Sequence, residues 1–128
     1  MKNCKNCKKW EICRGMLMQV DIECFESGNV PQEVVSLMID KFGEDSQIDV
    51  AVEEMSELIK ELIKYKRSKI HSREKQAASR ENVVEEIGDV MFMFEYLKTI
   101  FNITDQEIRN IVEEKAKRTK RRYIDGKE

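Results

Sequence analysis

Between Ser46 and Phe101 the chain carries two long stretches of apolar residues at helical spacing with one polar interruption, and this pattern leaves few folds open. The first stretch, about Ser46 to Ser68, places Ile48, Ala51, Met55, Leu58, Leu62 and their neighbours at intervals of three and four. The second, about Arg80 to Phe101, does the same with Val83, Ile87, Val90, Phe94, Leu97 and Phe101. Such a period is that of an amphipathic helix and not of a strand. The polar run from about Lys69 to Ala78 is a loop short enough to make the two helices antiparallel neighbours.

Two shorter helices flank this pair. One runs from about Pro31 to Phe42, with Pro31 suited to a first helical position and Gly43 to the end. The other starts at Thr104, whose spacing to Glu107 fits a capping box, and continues to about Tyr123 with Ile108, Ile111, Val112 and Ala116. The expected fold is all-α, an antiparallel helical bundle of about four main helices. Residues 1–29 hold all four cysteines without a long period, so the division is a cysteine-bearing segment, 1–29, and a helical domain, 30–128. A chain of 128 residues buries only about two thirds of its unfolded surface. Long amphipathic helices on so small a chain carry more apolar surface than one layer covers, so a homodimer or homotetramer is expected.

Charge excludes some functions. The net charge of −2 is not that of a nucleic-acid binder. No apolar run approaches the ~18 residues of a membrane span, and the first residues lack the apolar core of a signal peptide. A cytoplasmic protein is expected, with cysteines as reduced thiols or metal ligands. Cys4 and Cys7 have the C-x-x-C spacing of half a Cys₄ zinc site, and Cys13 and Cys24 would complete it. The spacings to Cys13 and Cys24 are not those of a standard ribbon or finger, which favours free thiols over zinc. Trp10, amid lysines, is expected to pack locally.

The chemistry concentrates on the long helices. Glu54 and Glu57 lie one turn apart on the first, and Glu86 and Asp89 repeat the arrangement on the second. Both pairs border the apolar arcs; Glu61 continues the first line, and Asn82 and Met93 share the second. If the arcs face each other, four carboxylates converge, and they cannot all stay ionised in a partly buried place without a cation. Oxygen ligands without His or Cys select Mg²⁺, Mn²⁺ or Ca²⁺. For one pair alone, a solvated face with Lys60, Lys64 and Lys66 as partners is the competing reading. A di-iron carboxylate bundle needs Glu-x-x-His pairs, and the single histidine, His71, falls in the loop. Gly88, inside the second helix beside the acidic pair, suggests close helix approach or room for a ligand.

This text resembles a known family. Glu53-Glu54-Met-Ser-Glu57 followed by Glu85-Glu86-Ile-Gly-Asp89 looks like the paired motif of the MazG-like all-α nucleoside triphosphate pyrophosphohydrolases, relatives of the dimeric dUTPases and phosphoribosyl-ATP pyrophosphohydrolases. The run from Phe42 and Gly43 through Gln47 to Glu54 is similar to small phage and Firmicute members. The resemblance spans about residues 37 to 123 and leaves out the cysteine-bearing segment. It implies hydrolysis of a nucleoside triphosphate to the monophosphate and pyrophosphate with Mg²⁺, for which Mn²⁺ is an alternative. Glu54, Glu57, Glu86 and Asp89 would be the ligands. On the last helix Lys115, Arg118 and Arg122 lie in line with Ile108 and Ile111, suited to a polyphosphate, whereas Lys117, Lys120 and Arg121 point away. A basic last turn complementing the helix dipole is the plainer account of the three. Gln47 shares the stripe of Glu54 and would touch nucleotide or cap the helix start. The rival to an enzyme is a helical regulator that keeps the fold and binds nucleotide or a partner without turnover.

Overall fold

The computed structural model describes residues 30–126, which form four helices and, among the described residues, no strand. They are α1 (Gln32–Phe42), α2 (Glu44–Ser68), α3 (Arg73–Ile100) and α4 (Asp105–Tyr123). The all-α expectation holds. Cys4, Cys7, Cys13, Cys24 and Trp10, with the zinc and packing expected of them, lie outside the described residues. No helix among the described residues is long and apolar enough to cross a membrane.

The breaks between helices follow from local chemistry. Gly43 alone separates α1 from α2, at φ 87° and ψ 156°, a conformation essentially restricted to glycine. Its N–H closes α1 on the Ile39 carbonyl, and its own carbonyl receives the Gln47 N–H of the first turn of α2. Because that junction is so tight, α2 starts at Glu44, earlier than the apolar period indicates, and no side chain caps it. Gln47 is therefore not a cap; it is buried.

The connection between α2 and α3 is shorter than the expected Lys69–Ala78 loop. Ser72 accepts the Lys75 N–H and starts α3 at Arg73, so the first turns of the helix consist of strong helix formers that pack on little. At the other end of α3, Asn102 sits at φ 53°. Its N–H reaches the Thr99 carbonyl and the Ile103 N–H the Lys98 carbonyl, a Schellman closure with asparagine in the left-handed position. Thr104 and Glu107 then form the expected capping box, with both reciprocal bonds in place. Lys98 ties the elbow from the α3 side, 2.7 Å from both Glu95 and Asp105.

α2 and α3 pair as an antiparallel hairpin along a seam of period 3.5. On α2 the buried or half-buried positions 47, 51, 54, 58, 61, 65 and 68 step by four and three; on α3 positions 79, 83, 86, 90, 93, 97 and 100 do likewise. α1 closes one end, where Val35, Ala51, Met93 and Tyr96 make the core and Phe92 meets Tyr96 edge to face. Gln32 of α1 donates to the Thr99 hydroxyl at 2.9 Å.

One expectation about packing is corrected. The apolar arcs of the two long helices face each other only in part within one chain: Ala51 and Leu58 on α2 and Val83, Val90 and Leu97 on α3 lie in the seam. Val52, Ile59 and Ile63 on α2, and Val84, Ile87, Met91 and Phe94 on α3, are all 43 % exposed or more. The seam also takes in the line the carboxylates share with Met93, so these apolar residues lie outside it. No residue of α4 is buried, and Ile108, Ile111 and Val112 stand open. Helix α4 therefore has no inward face in a single chain.

Candidate metal centre

The seam that joins α2 to α3 changes character along its length. At the α1 end it is Ala51 against Met93; one turn on, Glu54 takes a seam position on α2, two turns on Glu86 takes one on α3, and Glu61 follows in the next heptad of α2. Apolar residues there would stabilise the hairpin, whereas half-buried carboxylates weaken it. Departures of this kind from consistent packing are where function is expected.

Glu54, Glu86 and Asp89 each place one carboxylate oxygen within 4.8 Å of the others. Glu54 and Glu86 are half-buried and Asp89 is exposed, so the group is closed on the seam side and open on the other. The electrostatics are those of an uncompensated cluster. Burial raises the Glu54 carboxyl above its ordinary range, and the charges of Asp89, Glu86, Glu53 and Glu57 add to the shift. Burial, then Asp89 and Glu57, raises Glu86 in the same way. No cation of the described residues pairs with either carboxylate. Three converging oxygens with no imidazole or thiolate among them fit a small hard divalent cation that retains several waters.

Glu57, the fourth expected ligand, is not drawn into the trio. It binds Lys60 one turn along α2 at 3.3 Å. That pair is exposed, worth about 0.3–0.5 kcal/mol as a helical surface pair, and is easily given up. Of the lysines in the solvated-face reading, Lys60 and Lys64 have taken carboxylate partners on their own helix, Glu57 and Glu61. Neither partner belongs to the trio. Gly88 faces open space, with nothing within 4 Å of the place a Cβ would occupy. Within one chain the glycine leaves room and makes no close helix approach. His71 is exposed in the α2–α3 turn.

The basic residues of α4 are not gathered around the carboxylates. Lys115 and Arg118 line a shallow groove along α4 with Asn110, Ile111, Glu114 and Arg121. Arg121, expected to point away, shares that groove, because it follows Arg118 by three and so lies on the same face. Arg122 instead rests over the Tyr123 ring, 6.0 Å from its centroid.

The residue whose placement sequence reasoning undervalued is Glu61. Its position on the line of Glu54 and Glu57 signalled it, yet only the fold buries it, at 6 % exposure.

No family model matches the chain, and no curated protein and no solved structure matches it.

Proposed function

We propose that the chain is a Mg²⁺-dependent nucleoside triphosphate pyrophosphohydrolase of the MazG-like kind, acting on the cytoplasmic nucleotide pool. The observation that carries the reading is the convergence of Glu54, Glu86 and Asp89 across a helix seam where carboxylates weaken the fold. The paired motif in the sequence supplies the reaction class. Glu54, Glu86 and Asp89 would hold the cation, with Glu57 as the fourth ligand once it leaves Lys60. Bound there, the cation supplies charge neutralisation for a triphosphate and lowers the pKa of a water; Mn²⁺ would serve as well. The open, Asp89 side of the group leaves a direction of approach for the polyphosphate. The half-buried Glu54 and Glu86 keep their positions because the seam fixes their backbones on two helices.

The second part of the reading is assembly. The exposed apolar stripes of α2, α3 and α4 support a homodimer or homotetramer in which these faces meet. In such an assembly Lys115 and Arg118 would meet triphosphate oxygens from a helix of which no described residue is buried in one chain, with Arg122 a further contact. Light scattering at high protein concentration tests this part, and a monomer counts against it.

The enzymatic part is tested by pyrophosphate release from a mixed nucleoside triphosphate pool with Mg²⁺ and with EDTA, repeated on each nucleotide singly. Release that needs Mg²⁺ and is lost in Glu54→Gln supports it. Nucleotide binding without turnover returns the chain to the class of helical regulators.

A further inference from the structure

Below the trio the seam carries one more carboxylate. Glu61 lies one turn beyond Glu57 on α2, and Asn82, one turn before Glu86 on α3, approaches it from across the seam. The two oxygens of Glu61 differ. Oε1 takes the Lys64 ammonium at the exposed edge of the helix. Oε2 is sealed from solvent and lacks a hydrogen bond of good geometry among the described residues, although the Asn82 amide also interacts with this carboxyl from across the seam.

A side chain 6 % exposed with a lone buried oxygen is unusual, since leaving a buried charged acceptor unmade costs more than its bond returns. Lys64, through its hydrogen bond, holds the carboxyl below its ordinary range, with Asn82 helping, so the oxygen is a true anion acceptor. The charge of Glu61 is also felt at Glu86. Glu54, the ligand of the trio on α2, lies seven residues from Glu61, about 10 Å of rise, and Glu86 lies one turn from Asn82 across the seam, so Glu61 takes no inner ligand position. A cation-bound water extends the reach of such a centre, by about 2.1 Å from Mg²⁺ to the water and about 2.7 Å more to an anionic acceptor.

Resting on the metal-centre reading above, we propose that Glu61 is a positioning residue of that centre, its buried Oε2 accepting a hydrogen bond from a water on the cation that Glu54, Glu86 and Asp89 hold. Lys64 then acts as the counterweight, keeping Glu61 ionised while drawing part of its charge away from the centre. A salt bridge that serves only α2 would have no use for the second oxygen.

Mn²⁺ titration of the full chain, followed by electron paramagnetic resonance of the free ion, reads this without turnover. Outer partners of metal sites are worth about 10–100-fold in metal affinity, so Glu61→Gln should weaken Mn²⁺ binding about tenfold while the EDTA-treated protein stays helical. Lys64→Met, which breaks the same ion pair but keeps the Glu61 charge, should tighten binding by about twofold to threefold. Glu81→Gln, an exposed carboxylate paired with Arg80, should change nothing. Binding by Glu61→Gln within about twofold of the parent, or equal weakening by Glu61→Gln and Lys64→Met, overturns the proposal and leaves the metal centre standing. Should Glu61→Gln fail to fold, the sign of the Lys64→Met effect decides, and an unchanged or weakened affinity overturns it. No Mn²⁺ binding by the parent protein removes the metal-centre reading itself.

Discussion

Neutralising Glu54 should stabilise the cation-free protein and destabilise it, relative to the parent, once Mg²⁺ is present. The trio's oxygens lie within 4.8 Å of one another. At about that separation a like-charge pair costs about 3 kcal/mol at an effective dielectric of 20 and about 1 kcal/mol in water. Glu54 is only half-buried, so solvent screening sets the repulsion nearer about 1 kcal/mol for each partner. Glu54→Gln keeps the shape and removes the charge, for a gain of about 1–2 kcal/mol in EDTA. For a helical domain of roughly 100 residues each kcal/mol moves Tm by about 4–8 °C. Binding reverses the order: at 100 times Kd, Mg²⁺ stabilises the parent by about 2.7 kcal/mol, while the variant, lacking a ligand, gains little. Thermal unfolding by circular dichroism, at one protein concentration, in EDTA and in excess Mg²⁺, gives all four numbers. A variant that melts below the parent in EDTA, or that gains as much from Mg²⁺, refutes the reasoning.

Other expectations follow from the same geometry. Lys115→Ala, Arg118→Ala and, because it shares their groove, Arg121→Ala should lower kcat/KM at least roughly tenfold, about 1.4 kcal/mol; Lys117→Ala, whose ammonium already pairs with Glu114, and Lys120→Ala should stay within about twofold, and equal losses in all five would reduce α4 to general positive charge. Gly88→Ala should raise Tm, worth up to about 1 kcal/mol of helix propensity, since nothing lies within 4 Å of the new methyl group; a fall in Tm would show that a second copy approaches there. The folded-state carboxyls of Glu54 and Glu86 are raised, so their contribution to stability is full below the unfolded value of 4.5 and is lost as pH rises through the folded values. In EDTA the protein should therefore melt higher at weakly acidic than at neutral pH. Excess Mg²⁺ should invert that slope, and the same slope with and without Mg²⁺ would contradict the assignment.

How far the sequence disclosed the fold depended on which residues each signal rests upon. The Thr104–Glu107 box was legible because it is closed within one turn, as was the end of α1 at Gly43. The start of α3 was hidden: Arg73 to Arg80 carry no apolar period because these turns have little to pack on, and Ser72 was the remaining cue. The paired acidic motif could be read from three-residue spacing, but of its four carboxylates only Glu54, Glu86 and Asp89 come together while Glu57 stays with Lys60. The face on which the helices meet could not. Apolar stripes such as Ile87–Met91–Phe94 look like the core of a hairpin, but in one chain they lie open while a mixed seam, in which Gln47, Glu54, Glu61 and Ser68 alternate with Ala51, Leu58 and Tyr65, makes the contact. Periodicity reports that a stripe is to be buried and not against what. For the same reason the α4 cations appeared to face inward, although no part of that helix is buried.

The central claim is tested most directly by the identity of the products. Phosphorus NMR of the full chain incubated with a nucleoside triphosphate that it turns over in Mg²⁺ should show the monophosphate and pyrophosphate growing in equal amounts. No diphosphate should accumulate, and both signals should be absent in EDTA and with Asp89→Asn. Diphosphate with orthophosphate, or turnover that persists in Asp89→Asn, would contradict the account.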